Sequence, residues 1–284
     1  MANARHLRKR IKAVGNIRRI TKTMQMIATS RFAKAMQKAT ATKPYVEGIF
    51  ALVNQLAATA GNISHPLIAG PSGGARGKPL ILVITSDRGL CGPYNGAILR
   101  TLTRLIREEL GNTEYELDIV GRKGLAFVRF TKLPLHQHHT QFGDNPKFED
   151  VEQLAQSYMD RFSKGEISSV RVISMKFIST ARQRAETMQL LPLKPPAAKK
   201  GEATEAEPAS GFRADYEFTP DPETILNDLL PVTVKATLFQ AFNEAIVSEH
   251  VARMVAMKSA TDNAGKMGKN LQRRFNRARQ SQIT

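Results

Sequence analysis

The run Ser86-Asp87-Arg88-Gly89-Leu90-Cys91-Gly92-Pro93-Tyr94-Asn95-Gly96 gathers glycines, a hydroxyl and a thiol at the carboxyl end of an expected strand, where it opens an expected helix. Phosphate-cradling loops occupy that position, because backbone N–H groups and the positive end of a helix converge there. The residues themselves argue otherwise: there is no Gly-Lys-Ser/Thr, and the glycines do not fit G-x-G-x-x-G. A tight turn packed closely on a helix is the better expectation, since a residue without Cβ permits both. Cys91 is the one cysteine, and no base neighbours it in sequence, so it reads as a small apolar filler and not as a nucleophile. His136, His138 and His139 form a cluster whose first two members would share one face of a strand. No Cys or carboxylate stands nearby at metal-ligand spacing, so a solvated loop or an edge strand is expected. No paired carboxylates or triad stand out; the chain offers no convincing active site, and no cofactor or metal is expected.

The elements that would position these residues are legible from periodicity. Leu80 to Thr85 is a continuous apolar run of the kind buried on both faces of a sheet, Pro93 to Glu109 an amphipathic helix, and Tyr115 to Val120 a second strand. Arg122 to Phe130 and Phe148 to Phe162 read as helices and Val170 to Ile178 as a strand, which implies a small, mostly parallel sheet with flanking helices. Around this unit stand two long helices. Residues 3 to 60 read as one, with Asn3 as N-cap, an apolar stripe of Leu7, Ile11, Val14, Ile17, Ile20, Met24, Ile27, Phe32 and Met36, a kink at Pro44, and a stop at Gly61-Asn62. The consecutive three-residue steps from Val14 to Ile20 argue against a long regular zipper. Asp221-Pro222-Glu223 starts the second long helix, which runs to Thr284 with Leu238, Phe242, Ala245, Ala252, Val255, Ser259, Leu271, Phe275 and Ala278 as core-facing candidates. Ala69 to Pro79 reads as a flexible connector, and Lys194 to Arg213, rich in Pro, Ala, Lys and Glu, as a surface loop or linker. The fold class is therefore α/β plus coiled coil: long antiparallel N- and C-terminal helices with an inserted Rossmann-like α/β domain. The expected divisions are 1–62, 75–193, 194–213 and 220–284.

Charge sharpens this picture. The 284 residues carry a formal net charge of +17. Met1 to Val46 holds twelve Lys/Arg and no acidic residue, and Arg253 to Thr284 holds eight Lys/Arg against Asp262 alone. The two ends thus carry +19 and everything between them −2. Pairing the terminal helices would put all of this charge on one rod, a large self-repulsion unless something acidic surrounds it. A hydrophobic content of 42% excludes wholesale disorder, and a single cysteine excludes a disulfide framework and fits a reducing, cytoplasmic setting. No run is long enough to span a membrane, and Met1 to Lys12 is polar and basic where a signal peptide turns apolar. A basic coiled-coil nucleic-acid binder is the rival from another class; the aromatics of a single-strand binder, however, are missing.

Three stretches carry a resemblance that spans nearly the whole chain in order. They are Arg8 through Lys34 with Ile20-Thr21-Lys22-Thr23-Met24-Gln25-Met26-Ile27-Ala28, the central Ser86-Asp87-Arg88-Gly89-Leu90-Cys91-Gly92, and Ser248 through Ala264 followed by Asn276-Arg277-Ala278-Arg279-Gln280. In these the sequence resembles the gamma-subunit family of F-type ATP synthases. The resemblance implies a non-catalytic central-stalk rotor, coupling proton-driven rotation to conformational cycling of the catalytic subunits. It implies paired terminal helices inside a ring of alpha and beta subunits, an α/β foot joining the epsilon subunit and the membrane c-ring, and one copy per complex. No nucleic acid is implied. The location implied is peripheral, on the cytoplasmic face of the bacterial inner membrane. Met24, Arg253, Arg279 and Gln280 match family positions where the shaft meets catalytic-subunit loops. Family members usually continue through a short acidic and apolar tail after the Ile-Thr matched by Ile283-Thr284, and the cysteine-free 194 to 213 segment does not support a thiol-switched gamma of the chloroplast type.

Overall fold

A computed structural model describes residues 4–60, 65–70, 77–111, 113–193 and 222–283. The expectations placed on Asn3, Gly61-Asn62, Asp221 and the 194–213 segment lie outside the described residues. Helix α1 (Ala4–Ala60) passes through Pro44, and helix α6 (Pro222–Ile283) through Pro231. With 57 and 62 residues they are about 85 and 93 Å long at 1.5 Å per residue. Between them come α2 (Pro66–Ala69), β1 (Lys78–Ile84), α3 (Tyr94–Leu105), β2 (Glu116–Val120), α4 (Arg122–Thr131), β3 (Gln137–His139), α5 (Phe148–Ser163), β4 (Ile167–Phe177) and β5 (Gln183–Leu191). Helix α3 ends in a wider π turn, Ile106–Leu110, closed where the Gly111 N–H donates to the Ile106 carbonyl at 2.9 Å.

The strands form one sheet in the order β3-β2-β1-β4-β5, parallel except for β5, which runs antiparallel to β4. The Leu80-to-Ile84 run is fully buried because both faces of the sheet are covered. Leu80, Leu82 and Ile84 face α5 and the bases of α1 and α6, where Val46, Ile49, Val53, Leu56, Leu230, Leu238 and Phe242 join one core. Ile81 and Val83 face α3 and α4, joined by Cys91, Ile98, Leu102 and Val128 in a second core. Strand β5 and the short α2 had no counterpart in the sequence reading. Strand β5 is an edge strand with only its last two residues buried, so its apolar signal is thin.

The two long helices pair antiparallel along their lengths, and their register can be read from contacts. A Cβ on Gly268 would meet Val14, the Thr261 hydroxyl donates to Thr21 Oγ1 at 2.8 Å, and Thr42 Oγ1 donates to Gln240 Oε1 at 3.3 Å. Seven residues forward on α1 match seven backward on α6, then twenty-one match twenty-one, so no slip intervenes. On α1 the inward positions recur every seventh residue: Leu7, Val14, Thr21, Ala28, Ala35, Thr42, Ile49 and Leu56 are all buried or half-buried. On α6 the same spacing runs through Ala236, Asn243, His250, Met257, Ala264 and Leu271.

This seam corrects the apolar stripe expected from composition. Ile17, Ile20 and Ile27 are 52, 59 and 50% exposed, and Thr21 and Ala28 take the inward places instead. Val255 and Ser259 likewise face outward, while Val251, Met257 and Thr261 are buried. The physical reason is helix proximity: where the backbones approach most closely, small residues such as Ala, Thr and Gly fit the contact and the longer Ile17, Ile20 and Ile27 are left on the flank. The three-residue steps that suggested an irregular coil therefore belong to a flank, and the seam itself keeps its seven-residue spacing.

Candidate functional site

The glycine-rich loop after β1 is built as a joint between sheet and shaft. Asn95 organises it: the Ser86 N–H donates to Asn95 Oδ1 at 3.0 Å, and Asn95 Nδ2 donates to Ser86 Oγ at 2.7 Å and lies 3.2 Å from Cys91 Sγ. Ser86 Oγ in turn donates to the Arg88 carbonyl at 2.8 Å. Leu90 is held at φ 64°, a strained choice for a branched side chain, with its side chain turned to solvent. Gly92, at the left-handed φ of 57° that favours glycine, lies against α6, where a Cβ would be in ordinary contact with Ala256 and the Ala252 carbonyl. The Tyr94 hydroxyl donates to the Ala245 carbonyl at 3.1 Å, and burial raises its pKa well above the ordinary value.

Arg253 closes this joint from the α6 side. Its Nη2 donates to Glu249 Oε1 at 2.6 Å and to the Arg88 carbonyl at 3.2 Å, and its Nε to the Gly89 carbonyl at 3.4 Å. The side chain is buried, so its charge is satisfied within the chain. Burial raises the Glu249 carboxyl above its usual range, and the Arg253 guanidinium beside it pulls the other way.

Helix α6 also fills the crevice where doubly wound sheets hold ligands. At the carboxyl ends of β1 and β2, between Thr85, Gly121, Phe242 and Glu249, a cavity of about 20 Å³ remains. That is room for a single water and far less than a nucleotide needs. The sheet's usual binding position is occupied by the chain's own shaft, so the loop serves packing, as its glycine spacing implied.

The histidine cluster lies around a carboxylate that sequence inspection did not connect to it. Asp118, fully buried on β2, accepts from His136 Nδ1 at 2.8 Å, from His139 Nε2 at 3.2 Å and from the Tyr158 hydroxyl at 2.7 Å. Burial alone would raise the Asp118 carboxyl; hydrogen bonds from His139, Tyr158 and His136 outweigh it and hold the group below its ordinary value. Strand β3 is an edge strand, as one of the two alternatives had it, and it pairs Gln137 with Asp118 and His139 with Val120. Among the described residues no group of His, Cys, Asp and Glu is arranged to hold a metal ion.

The remaining candidates lie on the rod. Met24 is half-buried beside the seam, flanked by the exposed Ile17, Ile20, Met26 and Ile27. Arg279 and Gln280 are exposed near the distal end of α6. The structure therefore does not bring the four candidates together: Arg253 sits at the joint, Met24 midway along the rod, and Arg279 with Gln280 at its far end. Around them Arg8, Lys9, Lys22, Lys266, Arg274 and Arg277 are exposed, and among the described residues none of these six makes an ion pair with a carboxylate.

Comparison with known proteins gives this architecture a family. The family model described as ATP synthase matches residues 3–284. The ATP synthase gamma chain of Rhodopirellula baltica is 43% identical over 290 residues, covering 100% of this chain and 95% of the relative. The chain belongs to the ATP synthase gamma chain family. The gamma chain of Leptospira biflexa is 39% identical, covering 100% of this chain and 95% of its own. In fold, this gamma chain is similar to the rotor of the Euglena gracilis mitochondrial ATP synthase, with a TM-score of 0.65 at 16% identity over 99% of both chains. The central stalk of the Tetrahymena thermophila enzyme gives 0.56 at 20% identity, over 85% of this chain and 99% of that one. A gamma chain is the non-catalytic central-stalk rotor subunit of the F-type synthase, coupling rotation to ATP synthesis and hydrolysis, and the catalytic sites lie on the beta subunits. The lack of an active-site constellation in this sequence agrees with that role. Among the described residues no helix is long and apolar enough to cross a membrane.

Proposed function

We propose that the distal rod of this gamma chain turns as a coiled-coil shaft inside an acidic sleeve formed by the alpha and beta subunits. The Rossmann-like α/β unit, residues 75–193, is the foot that meets the epsilon subunit and the c-ring; residues 1–62 and 220–284 are the shaft, and 194–213 an insertion between them. One copy serves each complex, peripheral to the cytoplasmic face of a bacterial inner membrane. The observation that carries this reading is the outer surface of the rod: an exposed apolar flank of Ile17, Ile20 and Ile27 lies among cations that have no carboxylate partners among the described residues. A free rod would gain nothing from that arrangement, whereas a sleeve with apolar and acidic loops covers both features.

The mechanism follows from asymmetry. The apolar flank lies to one side of the seam, so each catalytic subunit meets a different face of the rod as it turns. A contact difference of about 1.4 kcal/mol between two conformations shifts their populations tenfold, and with them the nucleotide affinity. Met24, Arg279 and Gln280 are the contacts on the rod. Arg253 acts as a positioning residue: it holds the Arg88 and Gly89 carbonyls and so presents Arg88 and Leu90 outward. Met24→Lys adds a cation at the interface and is expected to impair proton-driven ATP synthesis while leaving folding intact. Unchanged synthesis with normal hydrolysis in inverted membranes counts against the assignment. Native mass spectrometry of the complex purified through this chain is expected to give one copy amid three alpha and three beta subunits.

A further inference from the structure

Between the paired helices, at the level of the foot, the seam opens into a cleft of about 370 Å³ lined by Arg31, Lys34 and Lys38 of α1, Asp144 of the loop before α5, and Asn243 and His250 of α6. Asn243 and His250 occupy consecutive inward positions on α6, seven residues apart, where an apolar pair would ordinarily fill the seam. Across from them α1 supplies the small Ala35, which leaves the hollow unfilled. Both polar residues are more than nine-tenths buried, at 4 and 3% exposure, yet Asn243 Nδ2 and His250 Nδ1 find no hydrogen-bond partner within the protein. A buried polar atom without a partner costs roughly as much as the hydrogen bond it lacks, so two on one wall of one cleft point to something that binds there.

The charge around the cleft says what that is. Asp144 is already shared between Arg31 and Arg88. Lys38 donates to the side-chain Oδ1 of Asn145 at 3.2 Å and to the Pro146 carbonyl at 2.9 Å and lies 5.3 Å from the Phe239 ring centroid, so among the described residues no carboxylate pairs with it. Lys34 makes no ion pair among the described residues. The lining thus carries three cations against one carboxylate, with two orphaned side-chain nitrogens beneath them. We propose that this cleft binds a small tetrahedral oxyanion of the phosphate class, with Lys34 and Lys38 supplying charge and with Asn243 Nδ2 and His250 Nδ1, sealed from solvent beneath the empty cleft, turning to donate hydrogen bonds from the seam. His250 stays neutral in the empty cleft: burial pushes it down to about 4, with Arg253, Arg31 and Arg88 reinforcing the shift and Asp144 opposing it. A neutral imidazole donates through one nitrogen, which suits an oxyanion acceptor. The ligand would touch α1, α6 and the foot loop together, so its binding would stiffen the junction between shaft and foot. Phosphate is also consumed and released by the reaction that the rotor serves.

The test uses the full chain titrated with inorganic phosphate at constant ionic strength, chloride being exchanged out, with the His250 imidazole signals followed by NMR. A saturable shift of those signals is expected, with affinity reduced about tenfold or more in Lys34→Ala and in Asn243→Leu, and unchanged in Arg104→Ala, which removes a cation on the outer face of α3. Lys34 is exposed, so its substitution keeps the test valid if Asn243→Leu fails to fold. A shift that never saturates, or a loss in Arg104→Ala equal to that in Lys34→Ala, reduces the effect to general attraction by a basic protein and overturns the proposal. So does binding of an acidic peptide at these residues with no response to phosphate. The rotor reading stands in either case, because the copy number in the assembled complex measures it separately.

Discussion

The base and the distal half of the shaft are the same two helices in the same register, yet they solve different problems. At the base, α1 contributes Val46, Ile49, Val53 and Leu56 and α6 contributes Leu226, Leu230, Val234, Leu238 and Phe242, all buried in one core with the sheet and α5. Further out the seam places the small Thr21, Ala28, Thr261 and Ala264 between the larger Leu7, Met257 and Leu271, and Ile17, Ile20, Val255 and Met267 look outward. The base anchors the rod by apolar burial. The distal half has only its partner helix, and its large apolar residues stay exposed; on the proposed reading they and the cations around them are left for the sleeve. If the rod turns inside a sleeve as proposed, that division gives a foot that does not slip on its shaft and a shaft surface that can move past its neighbours.

The sharpest way to break the comparison is Phe242→Ala. The ring is 1% exposed and lies 4.6 Å from the Phe142 ring between centroids, so truncation should cost roughly 3 to 5 kcal/mol, read as a lowered unfolding midpoint of the full chain. At the joint between the two regions, Arg253→Ala leaves Glu249 buried without its cation and strips the Arg88 and Gly89 carbonyls of a donor. About 3 kcal/mol of destabilisation is expected, together with faster hydrogen exchange at residues 88–92. A loss below about 0.5 kcal/mol would show that the joint is held by Gly92 and Tyr94 packing alone.

Acid should act beside that joint, at His250 in the seam. His250 is pushed down to about 4 in the fold, chiefly by burial and then by Arg253, against an ordinary value of 6.5. The unfolded chain binds the additional proton across that window, so stability should be complete above about 6.5 and fall as pH drops toward 4. The loss attributable to this group is on the order of 3 kcal/mol, and His250→Gln should flatten the slope in that range. The smallest effect belongs to the distal seam. Thr261→Val removes the hydrogen bond to Thr21, and about 1 kcal/mol is expected, with part of it recovered in the double variant that also carries Thr21→Val.

Much of the fold was legible because strong periodicities report local burial. The run Leu80 to Ile84 could only be a strand covered on both sides, and α3, α4 and α5 each kept one apolar face. Three features were not legible, each for its own reason. Strand β5 exposes most of its residues, so alternation in Gln183–Leu191 has too little apolar contrast. Asp118 and His139 are twenty-one positions apart and meet only through sheet pairing. The seam was misassigned because apolar bulk marks what wants to leave water, while close helix contact selects for what is small.

The sequence alone determined that two long basic helices bracket an α/β unit, that the central loop lacks phosphate-binding glycine spacing, and that the motifs at both ends belong to one family. These follow from local pattern and composition, which need no partner to be read. The tertiary structure decided which face of each helix turns inward, that α6 fills the sheet's ligand crevice, that Arg253 is spent on a joint, and that Asn243 and His250 share an open cleft. Those outcomes depend on the distance between two backbones, and no single helix carries that distance in its own residues.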